Sequence, residues 1–179
     1  ISGATWVNAE TEIAQVGLVR QNKPMVFDGT DDYVSCGTPF SYTNHTFAGW
    51  INSSGSGSFR QLLDARDGAS DGIRLYVNGG NGFIYNLNTQ TLTSLTTSND
   101  EWYHFVCTYD GTTQKLYING ALDQSATTSQ TISTTTNAKI GARNFSTPSN
   151  YFDGLINEVA VWDEALTATE VTALYNSGT

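Results

Sequence analysis

The chain has 179 residues, and 8 Lys and Arg against 17 Asp and Glu give a net charge of −9 with only 14% charged residues. A single domain of this length can bury roughly 70% of its unfolded surface, so stability requires no metal or disulfide scaffold. No apolar run approaches the ~18 residues of a membrane span. A pI near 4.4, with basic residues scattered along the sequence, leaves no stripe to neutralise a phosphate backbone, so neither membrane insertion nor nucleic-acid binding is expected.

Residues 1–24 carry Ile13, Val16 and Val19 without a convincing period and read as an irregular or edge segment, with the domain proper over 25–179. From there, turn dipeptides recur: Asp28-Gly29, Asp67-Gly68, Asp71-Gly72, Gly79-Gly80, Asp110-Gly111, Asn119-Gly120 and Asp153-Gly154. The short runs between them are rich in β-branched and aromatic residues, which indicates an all-β sandwich or barrel. His45 to Ile51 is apolar on both parities and is expected to be a central strand.

Ile73 to Asn78 alternates, with Ile73, Leu75 and Val77 on one face and Arg74, Tyr76 and Asn78 on the other. Beyond the Gly79–Gly82 turn, Phe83, Tyr85 and Leu87 oppose Ile84, Asn86 and Asn88, a returning hairpin strand. Trp102 to Tyr109 is again apolar on both parities, and Leu116 and Ile118 alternate with Lys115, Tyr117 and Asn119. The Thr-rich stretch Ser125 to Asn137 reads as a polar outer strand. Thr167-Ala168-Thr169-Glu170 is a capping box, followed at helical spacing by Val171, Leu174 and Tyr175 and ended by Gly178, so one short C-terminal helix closes the chain.

Reactive chemistry is sparse. His45 and His104 lie within expected strands with no second histidine or cysteine at ligand spacing, and read as structural. Cys36 and Cys107 read as buried free thiols, with a bridge as the alternative. A glycosidase needs two carboxylates about 5 to 9.5 Å apart, but Glu158 stands alone and Asp163 and Glu164 lie past its strand, so no enzyme is expected. Asp64, Asp67 and Asp71 fall in one Gly-containing stretch, read as a loop able to offer Ca²⁺ several oxygens, and Asp28, Asp31 and Asp32 form a second acidic turn. Calcium is thus a candidate ligand, while no cofactor is required.

Several segments, taken in order, resemble the laminin-G-like, concanavalin-A-like jelly-roll family, which includes pentraxins. They are Phe27-Asp28-Gly29-Thr30-Asp31-Asp32-Tyr33-Val34, Thr46-Phe47-Ala48-Gly49-Trp50-Ile51, Trp102 to Gly111, Leu116 to Gly120, and Phe152 to Trp162 followed by Ala165-Leu166-Thr167. The resemblance implies two antiparallel sheets packed face to face, and a module that binds glycans or proteins, often with Ca²⁺. The pentraxin calcium site does not carry over, since Ala142, Arg143 and Asn144 stand where it needs carboxylates. Asn157, where many relatives have Asp, weakens a structural calcium site there. The ending Leu174-Tyr175-Asn176-Ser177-Gly178 is similar to modules of bacterial and phage surface proteins that continue into further chain.

The expectation is a non-catalytic, lectin-like module on a cell or virion surface or in the extracellular space, with a carbohydrate or glycoprotein as partner and other modules of a longer chain as neighbours. The alternative is a structural or assembly domain of a surface or capsid-associated protein without a sugar ligand. Sugars offer C–H faces to aromatic rings and hydroxyls to amide, carboxylate or guanidinium groups. Strand parity places Trp50, Arg74, Tyr76 and Asn86 opposite the packed face, where they are expected to line one groove.

Overall fold

The computed structural model describes residues 5–6, 23–36, 43–54, 59–67, 71–79, 82–130, 138–144 and 147–177. In chain order the elements are β1 (Thr5–Trp6), β2 (Met25–Asp28), β3 (Val34–Ser35), β4 (His45–Ser53), β5 (Phe59–Asp67), β6 (Asp71–Asn78), β7 (Gly82–Leu87), β8 (Gln90–Thr96), β9 (Trp102–Tyr109), β10 (Thr113–Ile118), β11 (Ala121–Thr127), β12 (Lys139–Ile140), β13 (Asp153–Trp162) and α1 (Ala168–Ser177). They form a two-sheet antiparallel jelly-roll sandwich. One sheet has seven strands, ordered β1-β2-β13-β4-β9-β10-β11, and the other has six, ordered β3-β12-β5-β6-β7-β8.

Period-two alternation builds the core. Ile73, Leu75 and Val77 of β6 and Phe83, Tyr85 and Leu87 of β7 are buried, facing Phe47, Ile51, Phe105, Cys107, Leu116 and Ile156 of the seven-stranded sheet in one cluster. Each such side chain contributes roughly 1.5–3 kcal/mol by leaving water.

The central strands β4 and β9 are apolar on both parities because both faces are covered. Their outer residues Ala48 and Val106 join Tyr117 of β10, Leu166, and Val171 of α1 in a second cluster. The helix that makes this possible is capped as its sequence implies: the Thr167 backbone N–H and hydroxyl donate to Glu170 Oε2 at 2.8 and 2.7 Å, and Glu170 N–H donates to Thr167 Oγ1 at 3.3 Å.

Three expectations need correction or restriction. The stretch holding Asp64, Asp67 and Asp71 is mainly strand, because β5 and β6 form a hairpin in which Asp67 pairs with Asp71 and Asp64 with Arg74. Of the Thr-rich stretch Ser125 to Asn137, the first three residues end the edge strand β11 (Ala121–Thr127), 128–130 are not strand, and 131–137 lie outside the described residues. In the N-terminal segment, Thr5 and Trp6 pair with Val26 and Met25, while 7–22 are outside the described residues.

Gly141 joins the loop after β12 to the core. Its φ is +85°, and a Cβ there would collide with the Phe27 ring, so only glycine lets the backbone lie against that ring. The same loop is fixed by Gly141 N–H to Leu62 O at 3.1 Å, Phe152 N–H to Gly141 O at 2.8 Å and Arg143 N–H to Ser149 O at 2.8 Å.

Candidate functional site

The outer face of the six-stranded sheet is built by residues that alternate with its core positions. In β6, Arg74 and Tyr76 lie opposite Ile73, Leu75 and Val77. Across the ladders Arg74 meets Asp64 of β5 and Asn86 of β7, and Tyr76 meets Gln61 and Ile84. A register shift between Gln61 and Leu63 accommodates an extra residue in β5. This bulge lets Gln61 keep the outer parity while Leu63 pairs with the inward Leu75.

Arg74 is the centre of this face. Its guanidinium carbon lies 3.8 Å from the centroid of the Tyr76 ring and 5.8 Å from that of Phe59, a cation–π arrangement. Phe59 is 46% exposed, a large aromatic left in solvent, with its ring 5.7 Å from that of Tyr76. Arg74 Nε donates to Gln61 Oε1 at 3.0 Å, and the fully buried Gln61 amide is itself held by Leu63 O at 2.6 Å and Leu75 O at 2.9 Å. Burial pushes the Arg74 pKa below the usual guanidinium value. Arg66 and Arg143 add to the push, whereas Tyr76 and Asp64 oppose it. Asn86 Nδ2 donates to Thr91 Oγ1 at 2.6 Å on the neighbouring strand.

Asp64 is fully buried, and both of its carboxylate oxygens accept from Arg66, from Nε at 2.8 Å and Nη2 at 2.7 Å. This fork-to-carboxylate geometry makes Asp64 an ion-pair partner. It corrects the expectation for Asp64, which lies in a strand and is taken up by Arg66 rather than offered from a loop to calcium. Lys139 of β12, paired in register with Asp64, donates from Nζ to Asn144 Oδ1 at 2.6 Å, and Asn144 Nδ2 donates to Arg66 O at 3.4 Å.

Three of the four expected ligand-binding residues, Arg74, Tyr76 and Asn86, therefore share a face. Trp50 does not. It belongs to β4 in the other sheet, where its ring stacks on Tyr175 of α1, with centroids 5.6 Å apart and planes at 23°, and lies 5.0 Å from His104. Strand parity had put Trp50 opposite the core correctly, but parity does not say which sheet a strand joins. The residues missed from sequence were Phe59, Gln61, Arg66 and Arg143. The Phe59-x-Gln61 alternation was a signal for the first two, whereas the arginines come together only through sheet order.

Trp50 and His104 instead line a pocket of about 440 Å³ beside α1, with Glu158, Trp162 and Leu174. Glu158 has φ +49° where β13 bulges between Asn157 and Ala160. Burial pushes the His104 pKa down to about 4, so its ring is neutral at pH 7. Apart from both regions, Asp28, Asp31 and Asp32 bring carboxylate oxygens within 4.8 Å of one another, and Asp32 Oδ2 accepts from Asp28 N–H at 3.1 Å.

Residues 28–172 match the profile of the family described as the concanavalin A-like lectin/glucanases superfamily. No curated protein matches the chain. Among solved structures, a candidate carbohydrate-binding protein from Bacteroides ovatus ATCC 8483 is similar, with TM-score 0.71 and 18% identity over 84% of this chain. This chain spans 46% of that protein's length. The CBM40 of Ruminococcus gnavus IT-sialidase, bound to α2,3 sialyllactose, gives TM-score 0.63 and 17% identity, covering 80% of this chain and 96% of that one. The heptameric SAP-like pentraxin of Limulus polyphemus gives TM-score 0.66 and 17% identity, covering 86% and 82%. At these identities the likeness is one of fold.

Proposed function

The chain belongs to the concanavalin A-like lectin/glucanases superfamily, and from that premise we propose that it is a non-catalytic, lectin-like module that binds glycan on the outer face of its six-stranded sheet. The observation that carries this reading is the Arg74 guanidinium lying 3.8 Å over Tyr76 with the exposed Phe59 ring beside it. Tyr76 is itself only 8% exposed and supports the guanidinium from below, so the exposed Phe59 ring and the guanidinium offer the surface for the C–H face of a sugar, and Asn86 and the guanidinium edge suit its hydroxyls. Structural neighbours whose descriptions name carbohydrate, among them the Bacteroides ovatus protein and the CBM40, support the same reading. Asp64, locked by Arg66, is poorly suited to act as a general acid or base, which supports a binding rather than a catalytic role.

A module of this kind works where glycans are displayed, outside a cell or on a cell or virion surface. No described helix is long and apolar enough to cross a membrane. A glycan array probed with the intact protein and with Phe59→Ala tests the proposal. Phe59 is exposed enough that its loss leaves the fold intact, so retention by the native protein and its loss in the variant are expected. If the native protein retains no glycan, the assembly-domain reading takes its place.

A further inference from the structure

Charge on this molecule is unevenly placed. The chain holds 8 Lys and Arg against 17 Asp and Glu, yet four of those cations, Arg66, Arg74, Lys139 and Arg143, gather on the outer face of the six-stranded sheet and the loop that follows β12. Register and hydrogen bonds connect the first three, and Arg143 adjoins them through Asn144. Asp64 pairs with both Arg74 and Lys139, Lys139 bonds Asn144, and Asn144, next in sequence to Arg143, bonds the Arg66 backbone. Asp64 is the one carboxylate at an outer position of these strands among the described residues, and Arg66 occupies it. Asp67 and Asp71 pair at the hairpin end, on strand positions that alternate with those of Arg66 and Gly72.

Like charges gathered on a partly desolvated surface repel one another. Burial is the first cause of the lowered Arg74 pKa, and the charges of Arg66 and Arg143 act on it in the same direction, against Tyr76 and Asp64. Gln61 holds the Arg74 Nε, and no hydrogen bond engages its two terminal nitrogens among the described residues. The fork is thus fixed at its base and open at its tip. Contact with a neutral sugar needs the stacking surface of Arg74 but not the surrounding excess of cations.

Building on the glycan reading above, we infer that the ligand of this face carries an anion, a carboxylate or sulfate borne on a sugar, received by Arg74 and Arg143 with Lys139 close by. Planar guanidinium groups match the paired oxygens of either anion, and a desolvated fork holds them more firmly than surface ammonium groups would.

Titration calorimetry of the intact protein with lactose, 3′-sialyllactose and 3′-sulfated lactose tests this inference. At least one charged sugar is expected to bind about tenfold or more tightly than lactose, and its affinity should fall as salt is raised. Arg74→Gln and Arg143→Gln should each reduce that advantage, with an unchanged circular dichroism spectrum showing that the fold persists. Binding of the sialylated sugar alone identifies a carboxylate ligand, binding of the sulfated one alone a sulfate, and binding of both a requirement for charge. If lactose binds as tightly as the charged sugars, or if Arg143→Gln and Arg74→Gln leave the preference intact, the anion inference is overturned while the glycan reading stands. If no sugar binds and the array is also blank, the glycan reading falls and this inference falls with it.

Discussion

His45 Nε2 and the Tyr85 hydroxyl lie 2.7 Å apart in the core, a hydrogen bond joining β4 of one sheet to β7 of the other. Both residues are fully buried. A second link runs beside it, from Gln114 Nε2 to the Tyr85 carbonyl at 3.0 Å. Burial raises the Tyr85 pKa well above the usual phenol value, with Cys107 and Tyr109 adding to the shift. Tyr85→Phe removes the hydroxyl and strands a buried imidazole nitrogen, so a loss of about 1–3 kcal/mol is expected in urea unfolding. A loss below experimental error would show that the bond contributes nothing to joining the sheets.

Trp50 belongs to the packing of α1. Trp50→Ala removes its stacking on Tyr175 and leaves a partial cavity. A cost of roughly 2–3 kcal/mol is expected, less than the 3–5 of a fully buried Trp. Glycan retention should be unaffected apart from this lower stability. Retention lost at full stability would put Trp50 back among the ligand contacts.

His104 makes stability pH-dependent. Burial lowers its pKa to about 4 from an unfolded value of 6.5. Between those values the unfolded chain binds the proton and the native one resists it, so this contribution is complete above pH 6.5 and is lost progressively as pH falls toward 4. Melting temperatures across that interval should decline less steeply in His104→Gln than in the native protein. Parallel declines would assign the acid sensitivity to other groups.

The two thiols are free in the structure, Cys107 buried and Cys36 half-buried, and burial raises both pKa values. A thiol reagent should therefore modify Cys36 slowly in the native protein and reach Cys107 only after denaturation. Equal rates for the two would contradict this difference in burial.

Calcium at the Asp28, Asp31 and Asp32 turn, where three carboxylates converge, would raise stability by about 2.7 kcal/mol at a hundredfold excess over its dissociation constant. The expected response is a rise of several degrees in melting temperature at that excess of Ca²⁺, reversed by chelator. An unchanged melting temperature removes calcium from the account.

Alternation and turn chemistry made β6, β7, β9, β10 and the capped helix readable from sequence, because those signals are local. The stretch from Asp64 to Gly72 was read as an acidic loop because Asp67-Gly68 and Asp71-Gly72 are turn signals, although Asp64 to Asp67 complete β5 and Asp71 opens β6. Some of the polar residues of β5 are held from outside the strand, Arg60 by Asn78 and Asn99 and Gln61 by Leu75 and Arg74, which no local pattern records. The same limit applied to charge. Basic residues that are scattered in sequence are gathered by sheet order, since β12 lies beside β5 although more than seventy residues separate Asp64 from Lys139.

Gly141 has a further consequence for recognition. With its backbone pressed against Phe27, the loop that carries Arg143 and Asn144 is anchored to the core before any ligand arrives. Were an oxyanion to dock there as proposed, little conformational entropy would remain to be lost, so affinity could come from a few contacts. Any side chain at position 141 should lift that loop, and the proposed binding should weaken through disorder although residue 141 is not among its contacts.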